Sequence, residues 1–156
     1  MTAKSHEYAA RIVWEGNLGS GTADYGGYGR HYRVEIDGRP DLAGSADPMF
    51  RGDADRHNPE DLFVAALSAC HLLTYLALCA RSGVRGVEYA DEASGTLLLD
   101  SGGGGRFESV TLRPRIRIAD GDPTLAESLH ARAHELSFIA ASVGIPVIVE
   151  PTIAAA

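Results

Sequence analysis

No side chain carries a charge from Leu62 to Ala80, nineteen residues in the middle of the stretch NPEDLFVAALSACHLLTYLALCARSG that runs from Asn58 to Gly83. The ends of this stretch are helix punctuation. Asn58 is an N-cap residue, Pro59 suits the first helical position, and Glu60 and Asp61 complement the positive end of the helix dipole. Arg81 falls in the last turn, and Gly83 takes the left-handed conformation that ends a helix. No water-facing stripe is visible, and a helix apolar all round is expected to be buried. Nineteen uncharged residues also suffice to cross a bilayer. However, the run holds Ser68, His71, Thr74 and Tyr75, lacks an aromatic belt, and has no second segment like it. A central helix sandwiched by sheet is the expectation, with no membrane partner.

The chain has 156 residues, enough for one domain with a sizeable core, and a single domain over 1–156 is expected. Fourteen Lys and Arg against 21 Asp and Glu leave a net charge of −7, which argues against nucleic acid or an anionic membrane surface as partner. Two cysteines make no disulfide framework, and the N-terminal MTAKSHEYAARIVW contains no apolar core of a secretory leader. A cytoplasmic protein is the expectation.

Around the central helix the sequence predicts mostly strand. Tyr8 to Glu15 and His31 to Ile36 read as two strands separated by a glycine-rich loop, and Arg39 to His57 reads as a long irregular connection. After the helix, Val87–Ala93 and Thr96–Asp100 read as strands with a break at Ser94-Gly95. Arg106–Ile118 reads as one strand, with Pro114 marking a bulge or an edge strand. Asp122-Pro123 starts a second helix, whose apolar positions keep helical spacing to Gly144, and Pro146–Ile153 holds a closing strand. The order is β-β-α-β-β-α-β without regular βαβ alternation, which indicates an α+β fold.

Cys70 sits at the middle of the central helix. It is either a small core residue or a reactive thiol, and lone cysteines are most often the former. Cys79 lies nine residues on, about 13.5 Å along the axis and about 180° around it. That exceeds the roughly 7 Å between α-carbons that a disulfide tolerates, so Cys79 reads as structural. His130 and His134 share a helix face with Glu135 beside them, but HARAHE lacks the HExxH order and a third ligand, and a solvated polar face is the plainer reading. Cys70 and His71, being adjacent, point about 100° apart and make a poor pair of metal ligands. No metal and no cofactor are expected. A reactive thiolate needs a cation nearby and something to hold that cation. Glu60 qualifies as the holder, yet it lies ten residues from Cys70, about 15 Å along a continuous helix. The two share a site only if the helix breaks or a second chain supplies one of them.

The run NPEDLFVAALSACH resembles the signature of the OsmC/Ohr family, in which Asn-Pro-Glu at a helix start precedes a peroxidatic cysteine ten residues after the Glu. VWEGN near the start, AGSADPMFRGD before the helix and AHELSFIAASVGIPV near the end extend the resemblance along nearly the whole chain. It implies an OsmC-like fold, an intertwined homodimer with sites at the subunit interface, and thiol-dependent reduction of organic hydroperoxides. Carried over by position, Cys70 is the attacking thiolate and Glu60 the carboxylate that holds an activating arginine. Arg30 matches that arginine best, with Arg51 in the FRGD loop next and Arg33 behind both. A site at the interface would also resolve the separation along the helix, because Glu60 would then come from the other chain.

The sequence departs from the family at one position that matters. Where family members carry a second cysteine in the later helix, this chain has Ser137 in AHELSFIAAS. A hydroxyl forms no disulfide, so the internal two-cysteine cycle is absent. Three outcomes follow: a one-cysteine, peroxiredoxin-like peroxidase recycled by an external thiol, another thiol-based binding or sensing role, or a retained fold without activity. The alternative to the peroxidase is a non-catalytic binder of a small apolar or thiol-bearing ligand at the dimer interface.

Overall fold

The computed structural model describes residues 3–155 and divides into two compact units, Met1–Leu62 and Phe63–Ala156. The first residues of the N-terminal stretch, 1–2, and residue 156 lie outside the described part.

In the first unit, β1 (Arg11–Trp14), β2 (Tyr32–Glu35) and β3 (Leu42–Gly44) form an antiparallel sheet in the order β1-β2-β3. The expected connection over 39–57 therefore contains a strand, β3, too short to show an alternation. It pairs with β2 from Tyr32↔Gly44 to Val34↔Leu42. The rest of that connection is a closed loop. A bridge between Gly44 and His57 and the Ser45 N–H to His57 carbonyl bond, 2.9 Å, tie its base. Within it Pro48–Phe50 makes one 3-10 turn, capped by the Asp47 carboxylate on the Met49 N–H at 2.7 Å. A Cβ on Gly52 would lie 1.6 Å from the Ala46 carbonyl oxygen, so only glycine closes this loop.

The helix α1 runs Pro59–Arg81 with the expected punctuation. The Asn58 side chain accepts the Asp61 N–H at 2.8 Å, and Gly83 has φ 72°. It is not buried all round. Leu67, His71, Tyr75 and Cys79 are buried, while Ala65, Ala66, Ala69, Leu73, Leu76 and Ala80 are exposed along one face, Leu73 at 68%. The correction has a plain cause: packed elements cover one side of α1, and its other, equally apolar side is left uncovered by the described residues. By length and composition alone α1 would also span a membrane.

In the second unit, β4 (Arg85–Asp91), β5 (Ser94–Leu99), β6 (Gly105–Leu112) and β7 (Pro114–Asp120) precede α2 (Pro123–Leu136) and α3 (Phe138–Ala141), and β8 (Val147–Val149) and β9 (Thr152–Ala155) follow. Two mixed three-stranded sheets result, β4-β7-β9 and β5-β6-β8. Each is antiparallel between its first pair and parallel between its second. The fold is α+β, as expected, but the expected strand Arg106–Ile118 is divided into β6 and β7, and an unexpected strand, β9, follows the closing Val-Ile-Val strand β8. The divisions fall at Glu92-Ala93, Arg113 and Glu150-Pro151, which the pairings Asp91↔Pro114, Leu112↔Val149 and Arg115↔Thr152 place at one level. The break thus comes two residues before the expected Ser94-Gly95, and Pro114 opens the central strand β7 rather than marking a bulge or an edge strand. The Asp91 carboxylate stands in for a ladder partner here, accepting the Arg113 N–H at 2.6 Å and the Ser68 hydroxyl at 2.5 Å.

Two apolar clusters hold this unit. Tyr75 and Cys79 of α1 pack with Ile116 and Ile118 of β7 and with Ala126, Leu129 and Ala133 of α2. Leu67, with Phe63 and Val64, packs on Val110 and Leu112 of β6 and on Val147 and Val149 of β8. The second helix stops at Leu136 rather than Gly144, because Ser137 is extended (φ −69°, ψ 118°) before α3 restarts.

Candidate functional site

In the first unit a cavity of about 180 Å³ is lined by Arg30, Tyr32, Ser45, Asp47, Phe50 and Glu60 among others. Two residues expected at the site, Arg30 and Glu60, thus meet at one cavity. The Arg30 guanidinium lies 3.7 Å from the centroid of the Tyr28 ring and 4.7 Å from that of Tyr25. It donates to the carbonyls of both residues, Nη1 to Tyr28 and Nη2 to Tyr25, at 2.5 Å each. The loop that carries these tyrosines is pinned at its base. The Gly29 N–H bonds the Gly16 carbonyl at 2.8 Å, and Trp14 Nε1 bonds the Gly29 carbonyl at 2.8 Å. A Cβ at Gly16 would fall 1.8 Å from that carbonyl oxygen, so glycine is required for the closure.

Tyr32 enters the same cavity, although sequence reasoning passes it over as an ordinary strand residue. Its ring lies against the bare backbone of Gly44, where a Cβ would come 2.3 Å from Cζ. Burial, and then the Glu60 carboxylate, push the Tyr32 hydroxyl above its ordinary value.

The other two arginines are placed differently. Arg51, with φ 65°, holds its guanidinium 5.4 Å from the Tyr25 centroid and does not line the cavity. Arg33 is committed to carboxylates, with Glu15 and Glu35 at 2.6 Å and Asp41 at 3.5 Å.

In the second unit Cys70 is half-buried and Cys79 buried, and both are free thiols. Burial pushes the Cys70 thiol up. The Ser137 hydroxyl, the backbone N–H groups of Ile139 and Phe138 and the Thr74 hydroxyl outweigh it, so the thiol lies below its ordinary value. The Ser137 hydroxyl is fully buried, caps neither adjoining helix, and has no hydrogen-bond partner among the described residues. A Cys70 thiolate would be an acceptor for it. Ser137 is the extended residue between α2 and α3, and Phe138 and Ile139 open α3. Cys79, by contrast, is raised by burial.

One histidine is placed where the sequence does not suggest. His130, expected on a solvated face, is 2% exposed and bonds His71, itself 1% exposed. The signal for this was present, because His130 falls on the stripe Ala126, Leu129, Ala133 that α2 buries. Among the described residues no group of three or more His, Cys, Asp or Glu side chains is disposed to hold a metal ion.

The fold is α+β, with a half-buried free thiol at Cys70 in the second unit and an Arg/Glu-lined cavity in the first. Residues 52–151 match the family model described as OsmC-like protein, and the chain belongs to that family. A solved structure of an OsmC-like protein of unknown function from Vibrio cholerae is similar at 31% identity and TM-score 0.82, over 94% of this chain and 99% of that one. An organic hydroperoxide resistance protein OsmC from Legionella pneumophila shares the fold at 20% identity and TM-score 0.71, over 97% and 99%. One from Elizabethkingia anophelis does so at 21% and 0.70, over 99% and 100%. No curated protein matches the sequence.

Proposed function

We propose that this protein is a one-cysteine hydroperoxide reductase, a cytoplasmic homodimer recycled by an external thiol. The observation that carries the reading is the donor set at Cys70, which favours the thiolate in a half-buried setting where burial alone would favour the thiol. The names of the Legionella and Elizabethkingia neighbours support an organic hydroperoxide as substrate.

The Cys70 thiolate attacks the distal oxygen of the hydroperoxide. The S–O bond forms as the O–O bond breaks, sulfur is oxidised by two electrons, and the alkoxide leaves and takes a proton to become the alcohol. Cys70 is then a sulfenic acid. With serine at position 137 no disulfide closes within the chain. An external thiol attacks the sulfenic sulfur, releasing water and leaving a mixed disulfide. A second thiol resolves that disulfide and returns Cys70.

Arg30 supplies positive charge for the thiolate and for the developing alkoxide, and Glu60 shapes the cavity beside it. Along α1 Glu60 and Cys70 are about 15 Å apart, so the reading pairs the Arg30–Glu60 cavity of one protomer with Cys70 of its partner. The exposed face of α1 supports a dimer. Ala66, Ala69, Leu73 and Leu76, with Phe138 81% exposed, form the kind of apolar surface that a second copy covers.

Stopped-flow mixing of reduced protein with cumene hydroperoxide, with dimedone trapping and mass spectrometry, tests the reading. Fast sulfenic acid formation at Cys70, lost in Cys70→Ser, is expected. Reaction no faster than that of free cysteine overturns it and leaves the ligand-binding alternative.

A further inference from the structure

We infer that Tyr25 and Tyr28 are positioning residues for Arg30, forming a clamp that fixes the guanidinium without neutralising it. The inference rests on the reductase reading above and adds to it the means by which this chain holds its activating cation. Ion pairing is the usual way to fix an arginine, and Arg33 shows its consequence. Three carboxylates within 3.5 Å leave Arg33 little net field to offer. Arg30 makes no carboxylate contact within ion-pair distance among the described residues, although Glu60 lines the same cavity. Two ring faces and two carbonyl oxygens hold it instead. Rings and carbonyls are dipolar and quadrupolar partners, so they confine the cation while its full unit charge remains.

The geometry of the clamp is over-determined. The Tyr25 and Tyr28 rings meet edge to face at 6.4 Å, and Tyr28 meets Trp14 edge to face at 5.9 Å. Trp14 is in turn fixed to the Gly29 carbonyl. A guanidinium has five N–H donors. The clamp engages one on each terminal nitrogen and leaves three uncommitted to it. Arg51, 5.4 Å from the outer ring Tyr25, adds a second positive charge without entering the cavity. The clamp acts through Arg30 alone, because neither tyrosine lines the cavity.

The test is a mutant cycle on the full-length reduced protein. The rate of Cys70 oxidation by cumene hydroperoxide is measured together with the pH profile of Cys70 alkylation by iodoacetamide. Tyr28→Ala is expected to slow oxidation by about threefold to thirtyfold, the range a cation–π contact implies, and to move the alkylation profile to higher pH. Tyr28→Phe, which keeps the ring and the carbonyl, should stay within about twofold of wild type. In an Arg30→Ala background Tyr28→Ala should cost nothing more. Fluorescence of Trp14, the single tryptophan, and thermal unfolding check that each variant folds. Should Tyr28→Ala fail that check, Tyr25→Leu, at a position 61% exposed, gives the same readout. A slow Arg30→Ala beside a Tyr28→Ala as fast as wild type overturns the clamp alone, as does an equal loss with and without Arg30. An Arg30→Ala as fast as wild type overturns the role of Arg30 in the reductase reading, and the clamp with it.

Discussion

His71 and His130 meet Nε2 to Nδ1 at 3.0 Å, their rings within 9° of parallel, in the apolar centre of the second unit. Tyr75 stacks on His130 at 3.8 Å and sends its hydroxyl to the Ala126 carbonyl at 2.9 Å. Two neutral imidazoles can share only one N–H between them. Either tautomer leaves one further N–H and one lone pair, at His71 Nδ1 and His130 Nε2, without a partner among the described residues. A proton added to the pair would place an unpaired charge in the core.

This arrangement predicts acid sensitivity. Burial first, and then the neighbouring His134, hold His71 down to about 4, with Asp91 opposing, and burial and His71 hold His130 down to about 3. The unfolded chain takes up these protons near pH 6.5, and the folded chain does not until about pH 4 and 3. The stability these histidines contribute is therefore complete above pH 6.5. It falls as pH drops below that value, at up to roughly 1.4 kcal/mol per pH unit for each histidine. Urea midpoints at pH 7.5, 6.0 and 5.0 should decline, and His130→Gln should flatten the decline by about half. A wild-type midpoint constant over that range would contradict the assignment of both rings as neutral.

A second prediction concerns the level at which the strands divide. Asp91→Ala removes the acceptor for the Arg113 N–H and for the Ser68 hydroxyl. It is expected to cost about 1–3 kcal/mol in chemical unfolding. Asp91→Asn keeps one side-chain oxygen and should recover part of that loss. Equal losses for the two variants would mean that the carboxylate charge, and not hydrogen bonding, matters there.

What was legible beforehand was local. Asn58, Pro59 and Gly83 announce α1, and Asp122-Pro123 announces α2, because caps depend on neighbours in sequence. The end of α2 was not legible. Leu136, Ala140 and Val143 continue the helical period straight through Ser137, and only the packed structure imposes the extended residue there. Cys70 and Ser137 stood out through resemblance to a family. Tyr25 and Tyr28 did not, because ring-to-guanidinium contacts within an irregular glycine-rich loop have no period and no spacing rule. His130 was misplaced because its i, i+4 relation to His134 outweighed its position on the stripe that α2 buries.

The Ser137 hydroxyl is the first of the groups that lower the Cys70 thiol. Ser137→Ala deletes that donor and leaves the backbone N–H groups in place, so the alkylation profile of Cys70 should shift to higher pH. Oxidation by cumene hydroperoxide at pH 7 should slow by about tenfold, the loss expected when a hydrogen bond to an anion is removed. Cys79, raised by burial and 2% exposed, should remain unlabelled by iodoacetamide in both proteins. An alkylation profile for Ser137→Ala that overlays wild type would place the stabilisation on the helix-break amides instead.

Ser137→Cys puts a thiol in place of the hydroxyl that lowers the Cys70 thiol, on the extended residue between α2 and α3. The side chains are close to isosteric, so the exchange is expected to change stability by less than about 1.5 kcal/mol. On treatment with one equivalent of cumene hydroperoxide, Cys70 should pass from sulfenic acid to a disulfide with the introduced thiol. Mass spectrometry would show this as a loss of two hydrogens and as a linked peptide pair. Dimedone trapping should fall to the extent that the disulfide forms, because the resolving thiol competes for the same sulfur. The Cys79→Ala background removes the only other thiol and makes the linkage unambiguous. Persistent sulfenic acid in that variant, with no linked peptide, would show that positions 70 and 137 do not approach closely enough for sulfur–sulfur bonding.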